Sequence, residues 1–114
     1  LEGLISSMAR APSADRIIAH LESIKARKPM YFGRIDAEAA DRFLSGFLVG
    51  CFACGVDAPW VEAAMERGWL KTSNGPILEQ LRAHGLTDGA AIDELIEIQI
   101  LAFRRAFEDK PEPA

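Results

Sequence analysis

The chain has 114 residues, of which 49% are hydrophobic and 26% charged, and its formal net charge is −4 at pH 7. This length fits one domain, and the composition is typical of a folded globular protein rather than of a disordered chain. The acidic balance argues against non-specific binding to nucleic acid or to an anionic membrane surface, since both require a basic face. No apolar run reaches the ~18 residues that a membrane span needs.

The sequence pattern indicates one helical domain over residues 13–108, flanked by two short segments. Residues 1–12 are interpreted as an N-terminal extension or a cloning remnant, because the first residue is Leu1 and Met8 is a suitable start. Residues 109–114 carry two prolines and are expected to form a polar tail. Two cysteines without a secretory signal favour free thiols and a cytoplasmic location.

Apolar residues recur at helical intervals along the chain, whereas the alternation typical of strands is not sustained. The sequence therefore predicts an all-α fold, a compact bundle of about five helices. They run over 14–27, from Asp36 to a stop at Gly55, from Asp57 to a stop at Gly68, over 76–84, and over 89–108. Residues 27–33 are expected to form a loop. Expected N-caps are Ser13 for the first helix, Asp36 for the second, Ser73 or Asn74 for the fourth, and Thr87 or Asp88 for the last.

The last predicted helix is long and carries more apolar residues than a single buried stripe requires. It is therefore either the buried centre of the domain or partly an interface with another chain. An isologous contact between two copies would bury the excess, so we expect a homodimer. The apolar residues are Ile92, Leu95, Ile96, Ile98, Ile100, Leu101, Phe103 and Phe107.

Cys51 and Cys54 form a C-x-x-C pair, for which structural, redox and zinc-binding roles are the alternatives. A redox pair needs a cysteine at a helix N-terminus, where the helix dipole lowers the thiol pKa. These two cysteines fall near the end of a predicted helix instead. A zinc site would have to recruit His20 and His84 from distant helices. We interpret the cysteines as buried structural residues, and we expect no metal ion and no other cofactor.

Three acidic residues, Asp93, Glu94 and Glu97, open the last helix. Asp93 and Glu97 lie one turn apart, so that a shared cation or a general acid–base role is one alternative. The other is a solvated acidic face that the positive end of the helix dipole stabilises. No nucleophile elbow or histidine–carboxylate spacing accompanies them, and we assign no catalytic residue.

Two polar and aromatic segments are the remaining candidates for a binding site. The first contains Tyr31, the only tyrosine, among basic residues that include Arg34. The second contains Trp69, Lys71, Ser73 and Asn74. A cleft between them would accept a small anion or a peptide segment of a partner. In the alternative interpretation the two aromatic rings anchor their loops to the core and the polar residues cap helices.

Several short motifs resemble a pattern in small uncharacterised bacterial helical proteins. In those proteins a helix ends in roughly R-P-G-M-Y-I/L-G, and the next helix carries F-L-x-G-F/Y. Residues 27–33 (RKPMYFG) match the first motif, with Lys28 and Pro29 where the pattern has Pro-Gly, and residues 43–47 (FLSGF) match the second. Residues 67–69, Ser73 and 75–76 also look similar, so the resemblance covers about residues 17–107. Proteins of this kind include immunity-like proteins and cargo of mobile elements such as integron cassettes.

The resemblance implies a binding protein rather than an enzyme and supplies no catalytic residues. Our leading hypothesis is a non-enzymatic helical interaction protein, immunity-like, that binds a protein partner and is more suited to a basic one. The alternative is a small-ligand-binding or cryptic enzymatic domain that uses the cleft near Tyr31 and Trp69. The residues expected to bind are Tyr31, Arg34, Trp69, Lys71, Ser73, Asn74, Asp93, Glu94 and Glu97.

Overall fold

The computed structural model describes residues 13–32, 35–70 and 76–108, and within these residues it contains six helices and no strand. The all-α prediction is confirmed. None of the helices in this part of the chain is both long enough and apolar enough to cross a membrane. The helices are α1 (Ala14–Ala26), α2 (Lys28–Phe32), α3 (Ala37–Ala53), α4 (Trp60–Glu66), α5 (Ile77–Ala83) and α6 (Asp88–Glu108).

The structure has one helix more than the five that were predicted. This additional helix, α2, lies where a loop was expected, so the prediction of a loop through Tyr31 is wrong. The expected end of α1 before Pro29 is correct, because the N–H of Arg27 closes α1 by donating to the carbonyls of Ser23 and Ile24. The chain then forms a new short helix in which Pro29 occupies the first turn. Proline is tolerated there because a first-turn residue has no intrahelical acceptor for its N–H.

The predicted N-caps are confirmed at three helices, but the prediction is wrong for α5, whose N-cap position is occupied by Pro76. The side chains of Ser13 and Asp36 accept hydrogen bonds from backbone N–H groups in the first turns of α1 and α3. Thr87 caps α6, since its hydroxyl oxygen accepts from the N–H of Ala90 at 3.3 Å. Asp88 has a different role, because its carboxylate accepts from the N–H of Ala37 at 3.1 Å and so ties the start of α3 to the start of α6.

The helix α6 forms the centre of the domain and packs against α1, α3, α4 and α5. Its buried residues lie on more than one face of the helix, as expected for a helix surrounded by others. Burial within a single chain thus accounts for most of its apolar surplus, and self-association stays a prediction. The buried residues of α6 are Ala91, Ile92, Leu95, Ile96, Ile98, Gln99, Ile100, Ala102 and Phe103.

The helix α3 is less buried than its apolar sequence suggests. Only Leu44 and two alanines of its first turns are buried, while Phe43 is 39% exposed. Cys51 is half-buried and Cys54 is exposed, so the prediction that both cysteines are buried is wrong for Cys54. Burial, with a smaller contribution from the neighbouring Cys54, raises the pKa of the Cys51 thiol, which is the direction expected near a helix end. Because Val49 and Phe52 are both more than half exposed, the second half of α3 presents apolar side chains to the surface.

Candidate functional site

Asp93, Glu94 and Glu97 lie in the second and third turns of α6, and all three are engaged in ion pairs. Asp93 pairs with Lys28 at 2.7 Å and Glu97 pairs with Lys25 at 2.6 Å, so that α1 and α2 are both tied to α6. The hydrogen bond from Lys25 to Glu97, together with the charges of Glu97 and Asp93, raises the lysine pKa against the opposing effects of burial and of Arg67. These contacts give the acidic residues a structural role that the sequence did not predict.

Glu94 is the centre of a polar cluster with Arg67 and Trp69. Both of its carboxylate oxygens accept from the Arg67 guanidinium, at 2.6 and 2.8 Å, and Oε2 also accepts from the indole Nε1 of Trp69 at 2.8 Å. Burial raises the pKa of Glu94, but the hydrogen bonds from Arg67 and Trp69 and the charges of Arg67 and Lys25 outweigh it. The Glu94 pKa therefore lies below its ordinary value, and the carboxylate fixes Trp69 against α6.

Replacement of Glu94 by glutamine should lower the free energy of unfolding by about 1–2 kcal/mol at pH 7, because charge-assisted bonds to a bidentate arginine are lost. The folded-state pKa of Glu94 is depressed, so its contribution is present above the unfolded pKa of about 4.3 and is lost as the pH falls through the folded pKa. Urea titrations should accordingly show a difference at pH 7 that shrinks toward pH 3. Glu79→Gln, on the exposed face of α5, is the matched control and should show little change. An equal loss in both variants would contradict this role of Glu94.

The structure places Tyr31 and Trp69 in separate aromatic clusters. Tyr31 is half-buried, with its ring centroid 6.0 Å from that of His20 and 6.3 Å from that of Phe43. Trp69 packs edge-on against His84 at 5.0 Å. No ring contact or hydrogen bond joins the two clusters within the described part of the chain. Both aromatic residues pack against the core, as the anchoring interpretation requires. The other predicted binding residues of these segments, Arg34, Lys71, Ser73 and Asn74, lie outside the described residues.

A groove that the sequence did not predict runs along α3, with α6 as its floor and α4 and α5 on its far side. Its first part is a cavity of about 280 Å³, close to the lower limit of ~300 Å³ for small-ligand sites. The lining is mostly apolar, and its polar members are one carboxyl, one hydroxyl and one amide. The lining residues are Asp41, Leu44, Ser45, Leu48, Val49, Trp60, Ile77, Leu95, Ile98 and Gln99.

A second cavity of about 200 Å³ continues the first and shares three of its lining residues, Leu48, Val49 and Trp60. It extends the groove along α3 to Phe52 and to the segment at Asp57. The rim is strongly apolar and open to solvent, since Val49 is 68% exposed and Phe52 64% exposed. We call the two cavities together the α3–α4 groove.

The polar groups of the groove include acceptors without a donor. Gln99 is buried, and its Nε2 donates to the Leu44 carbonyl oxygen at 2.8 Å, while its Oε1 is buried without any hydrogen-bond partner. Burial raises the pKa of Asp41 more than the charge of Arg42 lowers it. No ion pair of Asp41 occurs among the residues that the structure describes. Oε1 is itself inaccessible to solvent, so of these two acceptors only the Asp41 carboxylate is open to a molecule in the groove.

The sequence did contain a signal for this groove. Leu44, Leu48 and Phe52 lie at intervals of four along α3, beside the stripe of Phe43 and Phe47 on which the prediction of the core relied. Two apolar stripes on one helix indicate that a single contact with the core does not cover it. The opposite wall could not be predicted from α3 alone, because it comes from other helices.

No family model matches the chain, and no curated protein or solved structure matches it either. Within residues 13–32, 35–70 and 76–108, no group of three or more histidine, cysteine, aspartate or glutamate side chains is placed to hold a metal ion. The class of protein is thus defined by the fold alone, a small all-α domain built around one central helix. The features of the described residues that could carry a function are the α3–α4 groove and the ion-paired surface of α6.

Proposed function

We propose that this chain is a non-catalytic interaction domain whose α3–α4 groove binds an amphipathic helix of a protein partner. The observation that carries the proposal is the elongated apolar groove with exposed apolar side chains along its rim. Exposed apolar surface of this kind is typical of a protein interaction site when it is contiguous and bordered by polar groups. Helix-in-groove recognition uses apolar anchors at i, i+3 or i+4, and i+7, which suits a groove that follows a helix.

The rim residues support a docked segment rather than an enclosed small ligand. Val49 and Phe52 lie one turn apart on the same side of α3, and Trp60 of α4 lines the second cavity together with them. All three are at least 38% exposed, so a partner would remove substantial apolar surface from water. Burial of apolar area contributes ~25 cal/mol per Å², and a buried tryptophan is a common hot spot in interfaces.

The charge around the groove favours a basic partner. The residues that line the two cavities include Asp41 at one end and Asp57 at the other, and neither lysine nor arginine is among them. The whole chain adds a net charge of −4. Complementary charge speeds association and suppresses wrong partners. The resemblance to immunity-like proteins implies a protein partner.

The residues predicted from sequence as binding positions supply a weaker alternative surface. Asp93, Glu94 and Glu97 would have to give up their ion pairs to contact a partner. Tyr31 is packed against other rings, but Met30 beside it is 75% exposed. The α2 surface is therefore the natural comparison for the groove.

A display library of 16-residue helical peptides tests the proposal without knowledge of the partner. Selection on the whole chain should enrich peptides that share an apolar i, i+4, i+7 stripe and carry basic residues. Synthetic copies should bind with a dissociation constant in the micromolar range by fluorescence anisotropy. A Val49→Gln/Phe52→Gln double variant should bind at least about tenfold more weakly, because two apolar anchors contribute roughly 1.5–3 kcal/mol each when fully buried.

Met30→Gln is the matched control, since it also replaces an exposed apolar residue on a helix. It should leave the affinity within about twofold, and both variants should unfold at the same urea concentration as the wild type. Selected peptides without an apolar stripe would refute the helix-in-groove proposal. A loss of affinity in Met30→Gln with none in the double variant would place the interaction at α2 instead.

A further inference from the structure

We infer that the outer face of α3 binds the same face of a second copy of this chain, with the two helices antiparallel. The outer face consists of exposed residues that recur at helical intervals along one side of α3, namely Arg42, Gly46, Val49, Gly50 and Ala53. It borders the α3–α4 groove at Val49, but the inference does not depend on what the groove binds.

The outer face lacks the charged residues that the solvent side of a helix normally carries. Residues 43–56 include no lysine, arginine, aspartate or glutamate. Two apolar side chains of this stretch, Val49 and Phe52, are more than half exposed. Two copies with a net charge of −4 each repel one another, so self-association requires a contact surface without negative charge. The outer face of α3 meets this requirement, whereas most of the apolar residues of α6 are already buried.

The fold of the single chain does not require the two glycines of this face. Gly46 and Gly50 both lie within α3, where glycine is among the least favourable residues. A Cβ atom added to either of them would meet no atom within 4 Å. The missing side chains therefore make no room for a neighbour within the chain, and they leave a flat surface that a second helix can approach closely.

The two ends of the face are complementary in size. Phe43, which is 39% exposed, lies beside its N-terminal end, and the small residues Gly50 and Ala53 lie at its C-terminal end. In an antiparallel pair centred between Gly46 and Gly50, Phe43 is level with Ala53 of the second copy. A large side chain thus meets a small one at both ends of the contact.

The two ends are also complementary in charge. Arg42 acts on the pKa of Asp41 through its charge, but neither Arg42 nor Asp57 forms a hydrogen bond or an ion pair within the described residues. Asp57 lies just beyond the C-terminal end of α3 and lines a cavity with Val49, which is two turns from Arg42 on the same flank. A two-fold axis brings equal flanks of an antiparallel pair together, so Arg42 of each copy lies near Asp57 of the other. This complementarity of the face to itself favours a second copy over an unrelated partner.

Sedimentation equilibrium of the whole chain tests the inference, with a reducing agent present so that disulfides through the exposed Cys54 do not contribute. The wild type is expected to dimerise with a dissociation constant in the micromolar range. Arg42→Glu and Asp57→Lys should each weaken the dimer at least about tenfold, because like charges then face each other at two places. The double variant Arg42→Glu/Asp57→Lys should return to within about threefold of the wild type, because it restores both pairs in reverse. Asp57→Lys also makes the chain less acidic, so overall repulsion alone would change the affinity in the opposite direction.

Arg104→Glu is the matched control, since Arg104 is an exposed arginine on α6 and the variant has the same net charge as Arg42→Glu. It should leave the dissociation constant within about twofold, because solvent and salt screen charges far from the contact. Gly50→Leu should abolish the dimer without lowering the urea midpoint of unfolding, since leucine favours a helix and its Cβ meets no atom of the chain. A wild type that stays monomeric up to millimolar concentration would overturn the inference. So would a dimer that is indifferent to Gly50→Leu, or one that both charge reversals weaken without rescue in the double variant.

Discussion

Replacement of Phe103 by alanine is expected to lower the free energy of unfolding by about 3–5 kcal/mol, because a fully buried aromatic side chain leaves a cavity that its neighbours fill only in part. Phe103 has no exposed surface and lies on α6, against which four other helices pack. Its ring centroid is 5.8 Å from that of Phe47 on α3, so the substitution also removes an aromatic contact between the two helices. Since domains of this size are stable by ~5–15 kcal/mol, a large share of the total would be lost.

Urea denaturation followed by circular dichroism at 222 nm measures this loss. The matched control is Phe52→Ala, which makes the same change of side chain in a helix at a position that is 64% exposed. The control should stay within about 1 kcal/mol of the wild type, since exposed positions contribute little. Equal losses at Phe52 and Phe103 would mean that α6 is not the centre of the core.

The helices were largely predictable because their signals are local. Ser13, Asp36 and Thr87 each cap a helix through a bond to a residue two or three positions away, and such short patterns are visible in any sequence. Gly55 and Gly85 follow α3 and α5 with φ angles of 92° and 83°, a conformation that favours glycine. The exception is α2, because a proline preceded by basic residues resembles a turn as much as the start of a short helix.

The polar contacts were not predictable because they join residues far apart in the sequence. Lys25 and Glu97 pair across 72 positions, and Lys28 pairs with Asp93 across 65. The sequence showed an acidic run at a helix start, and the helix dipole was a sufficient local explanation for it. Only the packing of α1 and α4 against α6, with α2 held beside α1, brings the basic side chains to these carboxylates. The same packing explains why Trp69, predicted to line a cleft, donates its indole N–H to Glu94.

The groove was predictable in part, unlike the helices, which were largely predictable, and the polar contacts, which were not. The apolar stripe of Leu44, Leu48 and Phe52 was readable in the sequence, but the fact that α3 leaves this stripe partly uncovered depends on where α4 and α5 are placed. Gln99 was the least predictable member of the site. A glutamine within an apolar helix can equally mark an exposed strip, and its burial follows only from the central position of α6.

That burial makes Gln99→Glu the most informative single substitution in the domain. The change is nearly isosteric, but at neutral pH it places a carboxylate oxygen where Nε2 now donates to the Leu44 carbonyl, at 2.8 Å. A buried charge facing an acceptor should lower the free energy of unfolding by about 3 kcal/mol or more. Gln99→Leu, the control, removes the polar group without adding a charge, and it should remain within about 1 kcal/mol of the wild type because it also removes the unsatisfied Oε1.

The pH dependence separates a buried charge from a simple packing defect. Burial raises the folded-state pKa of the introduced carboxyl above its unfolded value of about 4.3, so the folded state binds the proton more tightly than the unfolded state does. The stability of the variant relative to the wild type should therefore be highest below pH 4, where the protonated carboxyl can donate to the Leu44 carbonyl. It should fall as the pH rises toward the folded pKa, by about 1.4 kcal/mol per unit of pKa difference. A deficit of equal size at pH 4 and pH 7.5 in urea titrations would show that the introduced carboxyl keeps its ordinary pKa in the folded state, so that the loss comes from packing and not from a buried charge.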